Sequence, residues 1–141
     1  MNNAILIGHM AKAANCKVQT IRYYEDIGLL DTPSRTNGNQ RVYTQSQMNA
    51  LIFIRHSRDL GFSLPQIKKM LMINIDPNHS CQDIDLIAKD HLREVESKID
   101  RLQSMQSELV RMINECKGGS IATCRIIDTL ANHSLCLHQE H

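Results

Sequence analysis

The sequence CQDIDLIAKDHLREVESKIDRLQSMQSELVRMINEC, from Cys81 to Cys116, decides how the rest of the chain is arranged. Apolar residues recur in it in steps of three and four, separated by charged residues, Gln and Ser. No Gly or Pro interrupts Gln82 to Lys117, and Gly118-Gly119 follow. We therefore predict one long helix that pairs with a partner helix through an apolar seam. The seam consists of Ala88, Leu92, Val95, Ile99, Leu102, Gln106, Leu109, Ile113 and Cys116.

A cysteine stands at each end of this predicted helix. Cys81 and Cys116 are 35 residues apart, which corresponds to roughly 50 Å along a helix. These two thiols cannot hold one metal ion within a single chain. An antiparallel pair of helices would bring Cys81 of one chain beside Cys116 of the other, whereas a parallel pair would keep these ends apart. If the two thiols share a site, the protein is therefore an antiparallel homodimer with two equivalent sites.

The amino-acid composition limits the kind of core, the partners and the compartment that this chain can have. The chain has 141 residues with no Trp, two Phe and three Tyr, so a large aromatic core is excluded. Residues 1–75 carry nine Lys and Arg against four Asp and Glu, while residues 76–141 carry seven against eleven. A basic N-terminal half suggests a polyanionic partner. We see no signal peptide and no membrane-spanning stretch, which predicts a cytoplasmic protein without a membrane partner.

The cysteines should be reduced in that compartment. They are then interpreted as metal ligands, redox groups or core residues rather than disulfides. The five are Cys16, Cys81, Cys116, Cys124 and Cys136.

The N-terminal half has the pattern of a helix-turn-helix. Two short helices, Ile5–Ala14 and Val18–Ile27, are predicted on either side of a tight turn. On the second helix, Val18 and Ile21 point inward, with Tyr24 or Glu25. The outward side chains are of the types that contact phosphates and base edges. These are Lys17, Gln19, Thr20, Arg22 and Tyr23.

A basic wing should follow. Leu29 to Gln40 is rich in turn residues, and Arg41-Val42-Tyr43 can form a short strand. Arg35 and Arg41 flank this hairpin. Thr44 and Ser63 are predicted as N-caps of the third and fourth helices. The fold class is thus mainly α, with a winged helix-turn-helix at residues 1–75, a linker and long dimerisation helix at 76–117, and a loop, short helix and tail at 116–141.

These motifs resemble the MerR family of transcription regulators. The matching sequences are TIRYYEDIGLL (20–30), Arg35, NGNQRVYT (37–44) and FIRHSRDLGFSLPQIKKML (53–71). The resemblance implies a dimer on double-stranded promoter DNA that distorts the DNA when an effector binds, so that RNA polymerase can engage both promoter elements. It also implies that Tyr23, Arg41 and Tyr43 contact phosphates, that Lys17, Gln19, Thr20 and Arg22 are recognition-helix contacts, and that Arg35 belongs to the wing.

The resemblance further implies a metal site of Cys81 from the partner subunit with Cys116 and Cys124. Thiolates select thiophilic ions, and a third thiolate is typical of the family's zinc, cadmium, lead and mercury sensors. The spacing of eight between Cys116 and Cys124 instead resembles the Cu(I) sensors, so a Cu(I) effector stays the alternative. His79 could add a ligand, and His133, Cys136, His138 and His141 could form an auxiliary site.

Other functions fit the sequence less well. An enzyme is not expected, because no Cys–His pairing is forced by spacing and no Gly-rich phosphate loop is present. A metal-buffering protein would explain the thiols but not the TIRYYE helix and the basic wing. A small-molecule sensor of the same family would not require cysteines at positions 81, 116 and 124 together.

Overall fold

The computed structural model describes residues 4–116 and 118–136. The chain divides into two compact units, Met1–Asp85 and Leu86–His141, and the division falls within the long helix α5 (Gln82–Glu115). The helices of the first unit are α1 (Ile7–Ala13), α2 (Val18–Asp26), α3 (Gln45–Asp59) and α4 (Leu64–Asn74). Its strands are β1 (Ile5–Leu6), β2 (Ser34–Arg35) and β3 (Arg41–Tyr43). The predictions of a mainly helical fold, an N-terminal helix-turn-helix and a long helix are confirmed.

The three strands form an antiparallel sheet in which β3 lies between β1 and β2. Ile5 lies opposite Tyr43, and Arg35 lies opposite Arg41. The predicted strand at Arg41–Tyr43 is therefore confirmed. The predicted start of the first helix at Ile5 is wrong, because Ile5 and Leu6 supply backbone partners to an edge of β3 that would otherwise be open.

The core of the first unit is assembled from α1 to α4 and β3. Its fully buried side chains are Met10, Ile21, Tyr43, Leu51, Ile54 and Ile67. Both predicted N-caps are confirmed and belong to capping boxes. Thr44 Oγ1 accepts from the Gln47 backbone N–H at 3.2 Å, while Gln47 Oε1 accepts from the Thr44 N–H at 2.8 Å. Ser63 and Gln66 form the same arrangement at the start of α4.

The second unit continues α5 and ends in short helices. The predicted helix extends to Lys117, which lies outside the described residues; α5 ends at Glu115. Gly118 and Gly119 have φ angles of 77° and 100°, a region that favours Gly and stops a helix. A 3-10 turn at Ile121–Thr123 precedes α6 (Arg125–Ala131), the short helix predicted after the loop, and a second 3-10 turn covers His133–Leu135. None of the helices in the described ranges is long and apolar enough to cross a membrane.

Candidate nucleic-acid interface and thiol loop

The outward face of α2 carries the polar residues expected of a recognition helix. Ile21 and Tyr24 are buried, which turns the opposite side of the helix to solvent. Lys17, Gln19 and Arg22 are exposed, and the Tyr23 ring is half exposed. Thr20 is half-buried beside them. The five side chains therefore stand where a helix lying in a DNA groove would present them, and their DNA contacts remain a prediction.

Glu25 connects α2 to the wing strand β3. Its side chain is only 7% exposed. The Arg41 guanidinium donates from Nη1 to Glu25 Oε2 at 2.6 Å, and the Tyr43 hydroxyl donates to Glu25 Oε1. Residues 41 and 43 share one face of β3 because side chains alternate along a strand. One buried carboxylate thus fixes the recognition helix against the wing through two hydrogen bonds.

Tyr43 occupies the core rather than the surface. It is 1% exposed, and burial together with the hydrogen bond to Glu25 raises its pKa to about 12. The Tyr43 hydroxyl is used inside the protein, and its contact with a DNA phosphate stays a prediction that this structure does not test. The geometry makes Tyr43 a positioning residue for Glu25 and Arg41. The Arg41 side chain keeps 26% of its surface exposed and so retains a solvent-facing edge.

Arg35 lies at the wing turn and is oriented by the backbone. Its Nη1 donates to the carbonyl of Asn39 at 3.1 Å. Asn39 itself has a φ of 64°, a left-handed conformation that Asn adopts more readily than most residues. Arg35 is exposed, and its register partner across the hairpin is Arg41. The wing therefore carries two arginines at paired positions of its hairpin.

Sequence reasoning left the position of Glu25 open and assigned it no role. The available signal was an acidic residue at a helix position that the helical period points inward, four residues after the buried Ile21. A buried carboxylate needs a donor or a cation. The basic strand Arg41–Tyr43 was the natural place to look for one.

The three predicted thiol ligands lie around α5: Cys81 directly before it, Cys116 directly after it, and Cys124 at the end of the loop that follows. Cys81 is exposed just before α5, and Cys116 and Cys124 are half-buried. Glu115 and Arg125, the residues directly outside the two loop cysteines, form an ion pair with Arg125 Nε 3.6 Å from Glu115 Oε2. This contact closes the base of the loop between Cys116 and Cys124.

Arg111 holds this loop base from the side of α5. Its guanidinium donates to Glu108 Oε2 at 2.8 Å, to Glu115 Oε2 at 3.1 Å and to the carbonyl of Leu135 at 2.9 Å. The Glu108 side chain is 5% exposed. Separating this buried carboxylate from the Arg111 guanidinium would therefore be strongly destabilising. Arg111 thus joins the last turns of α5 to the segment that carries Cys136.

The other candidate ligands are placed as follows. His79 Nε2 lies 2.8 Å from Asp83 Oδ2, so its ring is engaged within the start of α5. Cys136 is half-buried and His133 is exposed, whereas His138 and His141 lie outside the described residues. Cys16 is half-buried, and burial raises the pKa of its thiol while Arg55 lowers it to a smaller extent.

Within residues 4–116 and 118–136, no group of three or more His, Cys, Asp and Glu side chains is close enough to hold a metal ion.

Comparison with known proteins identifies the fold. Residues 6–72 match the family model described as MerR HTH family regulatory protein, and residues 48–112 match the one described as MerR, DNA binding. The HTH-type transcriptional regulator ZntR of Escherichia coli strain K12 is 44% identical over 127 residues, which span 88% of this chain and 90% of that protein. The chain belongs to the MerR family of transcriptional regulators. The resemblance carried by TIRYYEDIGLL and NGNQRVYT is thereby confirmed.

Two further relatives of this MerR-family chain concern metals. The Heavy metal-dependent transcription regulator 2 of Rhizobium meliloti strain 1021 is 36% identical over 134 residues, covering 95% of this chain and 91% of that protein. The structure of the transcription regulator PbrR691 from Ralstonia metallidurans CH34, in complex with lead(II), has a TM-score of 0.77 at 32% identity. It covers 89% of this chain and 98% of that chain.

Proposed function

We propose that this MerR-family protein is a metal-responsive transcriptional regulator that binds promoter DNA as a homodimer. Its effector is a thiophilic divalent ion (zinc, cadmium, lead or mercury), and its target genes export or detoxify that ion. The outward face of α2 and the exposed Arg35 support the DNA half of the proposal, since recognition-helix side chains read base edges while wing cations hold phosphates.

The homodimer forms along α5. The seam residues Leu92, Ile99, Leu102, Leu109 and Ile113 are between 47% and 63% exposed in the single chain. A continuous apolar stripe of this length is characteristic of a protein interface. An antiparallel partner helix covers this stripe and carries Cys81 of the partner subunit to the end where Cys116 lies, because the helix is far too long for the two thiols of one chain to meet.

The observation that carries the metal proposal is the ion pair between Glu115 and Arg125. It supports the proposal by closing the loop base next to Cys116 and Cys124. Two free, half-buried thiols on a short closed loop suit a soft ion, and metal–sulfur bonds of about 2.3 Å require them to converge. Cys81 of the partner subunit would complete three thiolates. The Rhizobium regulator named as heavy metal-dependent and the regulator solved with lead(II) support the same assignment.

Control is exerted through DNA shape. In each conformation, the dimer sets the spacing between its two recognition helices. A change in dimer conformation changes that spacing and so bends and untwists the promoter between the helices. RNA polymerase then engages both promoter elements. The effector shifts this equilibrium only by its differential affinity for the two conformations. A site shared by two chains gives such a difference, because its geometry depends on how the chains are arranged.

In vitro transcription from the protein's own promoter tests the proposal. The reaction is run anaerobically with Zn, Cd, Pb, Hg and Cu(I), on wild type, Cys81→Ser and the matched control Cys16→Ser. Activation by divalent ions that Cys81→Ser abolishes and Cys16→Ser leaves unchanged is the expected result. Equal activation of wild type and Cys81→Ser by Cu(I) would instead favour the Cu(I) sensor that the Cys116–Cys124 spacing of eight suggests. Metal binding without any duplex binding would identify a metal-buffering protein.

A further inference from the structure

Arg111 is connected to the chain beside three of the cysteines. Its Nη1 donates to Glu115 Oε2, and Glu115 directly precedes the first cysteine of the thiol loop (residues 116–124). The same oxygen lies 3.6 Å from Nε of Arg125, which directly follows the second loop cysteine. Arg111 Nη2 donates to the carbonyl of Leu135, which directly precedes Cys136. One side chain of α5 therefore links both ends of the thiol loop to the segment after α6.

Burial distinguishes these contacts from ion pairs on an open helix surface. The Arg111 side chain is 15% exposed, and the Glu108 side chain, whose carboxylate it contacts at 2.8 Å, is 5% exposed. Arg93 and Asp90 also form a pair on α5, but their side chains are 71% and 64% exposed. Exposed pairs contribute little because water screens them. The buried Glu108 carboxylate therefore holds the Arg111 guanidinium in place while its other contacts reach the loop base and the later segment.

The middle of the thiol loop, in contrast, is open to solvent. Ile121 is 74% exposed. Apart from the chain neighbours of Gly118, no atom of the described residues lies within 4 Å of the position that a Cβ there would take. Glycine loses more conformational entropy than any other residue when it is ordered. The positions of the two loop thiols are therefore set mainly at the ends of the loop, where Glu115 and Arg125 lie.

Order at the ends of the loop affects how tightly the loop can bind an ion. A site that is ordered before binding gains affinity, because the entropy lost on ordering is not subtracted from the binding free energy. Substitution of residues that orient metal ligands typically lowers metal affinity by about ten- to hundredfold. Arginine suits such a role because its donors have a fixed fork geometry, whereas lysine has one flexible ammonium group.

We propose that Arg111 is a positioning residue for the thiol site. It orders the thiol loop and the segment before Cys136 in the metal-free protein, and it does so without being a ligand. The inference rests on the proposed function, in which Cys116 and Cys124 bind the effector. Loss of Arg111 should therefore lower the affinity for the ion while leaving the number of thiolate ligands unchanged.

Amide exchange with water in the full-length, metal-free protein is the first test. Arg111→Met keeps the apolar length of the side chain and removes its donors, while Arg111→Lys keeps the charge without the fork. Arg93→Met removes the exposed pair on the same helix and is the matched control. The amides of Leu135 and Cys136 donate to backbone carbonyls within their own turn. We expect NMR to show roughly tenfold faster exchange of these two amides in Arg111→Met, a smaller increase in Arg111→Lys, and wild-type rates in Arg93→Met.

Cadmium binding is the second test. Affinity is measured anaerobically by competition with a chelator, and thiolate-to-cadmium charge-transfer absorption is recorded at saturation. We expect Arg111→Met to bind cadmium about ten- to hundredfold more weakly, Arg111→Lys to lose less, and Arg93→Met to bind as wild type. The absorption per bound ion should be the same in all four proteins, because the ligands are unchanged.

Glu115→Gln provides a milder variant that decides the question if Arg111→Met does not fold. The Glu115 side chain is 39% exposed, and its substitution leaves the buried pair of Arg111 with Glu108 intact. Glu115→Gln should also weaken cadmium binding. Its effect should not add fully to that of Arg111→Lys, because both substitutions disturb the same contact.

Several results would overturn the inference. Wild-type exchange rates or wild-type cadmium affinity in Arg111→Met would show that Arg111 does not order the site, and an equal loss of affinity in Arg93→Met would trace the effect to helix charge. Lower absorption per bound cadmium would mean that the ligand set itself had changed. Absence of thiolate-bound cadmium in wild type is a different outcome, because it refutes the proposed function, whereas the exchange rates are measured without metal and still decide whether Arg111 orders the segment before Cys136.

Discussion

At the scale of single residues, Tyr43 links the stability of the DNA-binding unit to pH. Its pKa is raised from 10.0 to about 12 by burial and by the hydrogen bond to Glu25. Between these values the unfolded chain has lost the phenolic proton that the folded chain retains, so rising pH favours unfolding. The contribution is fully present below pH 10. We expect the free energy of unfolding of wild type to fall between about pH 10 and pH 12 more steeply than that of Tyr43→Phe, as measured by urea denaturation.

The matched control for this prediction is Tyr23→Phe, which alters an exposed ring on the same unit. It should retain the wild-type loss of stability above pH 10. If Tyr43→Phe and wild type lose stability in parallel, Tyr43 does not keep its proton in the folded protein.

The ion pair between Glu25 and Arg41 should contribute measurably to stability. Their side chains are 7% and 26% exposed, and their contact of 2.6 Å is largely removed from water. Replacement of Glu25 by Gln leaves Arg41 without its counter-ion, and we expect the free energy of unfolding to fall by about 1–3 kcal/mol. A double-mutant cycle with Glu25→Gln and Arg41→Met isolates the pairwise energy. Additive effects of the two substitutions would show that the pair does not interact in solution.

These residues also show how far sequence reasoning reaches. The outward face of α2 could be predicted because helical periodicity assigns each residue to a side. Strand β3 has three residues, so its alternation identifies two faces without indicating which one is buried. The buried face is decided by β1, which pairs Ile5 with Tyr43 from a segment that resembles the first turn of a helix. The burial of Tyr43 therefore could not be predicted from β3 alone.

At the scale of elements, the proposed dimerisation surface on α5 can be tested with one substitution. Leu102 is 61% exposed in the single chain and lies near the middle of the seam. A lysine at this position would bury a charge between two helices, which is strongly unfavourable. We expect Leu102→Lys to weaken dimerisation by at least about tenfold in sedimentation equilibrium. Gln103→Lys adds the same charge one residue away from the seam and should sediment as wild type.

The bounds of the elements were predictable where local chemistry sets them. The capping boxes at Thr44 and Ser63 fix the starts of α3 and α4 from a few neighbouring side chains, and Gly118 ends the long helix by its backbone conformation. The closure of the thiol loop was not predictable in detail. The pairs of Arg111 with Glu108 and Glu115 are local on α5, but the contact of Arg111 with Leu135 spans 24 residues and depends on how the chain returns after α6.

At the scale of the whole molecule, a shared metal site predicts complementation between two defective chains. We consider a heterodimer, isolated with two different affinity tags, of a Cys81→Ser chain and a Cys116→Ser/Cys124→Ser chain. If the ligands come from both chains, one site in this heterodimer keeps all three thiols and the other keeps none. If each chain formed its own site, no complete site would remain.

The reciprocal heterodimer reverses the expectation and serves as the control. It joins a wild-type chain to a chain with all three substitutions, so a site within one chain would survive once, while a site shared between chains would never be complete. We expect one tightly bound cadmium ion per dimer, with three-thiolate charge-transfer absorption, in the first heterodimer and none in the second. The opposite pattern would contradict an antiparallel shared site. Because both heterodimers contain three serine substitutions, a difference between them cannot arise from the number of thiols lost and must reflect which chain supplies Cys81.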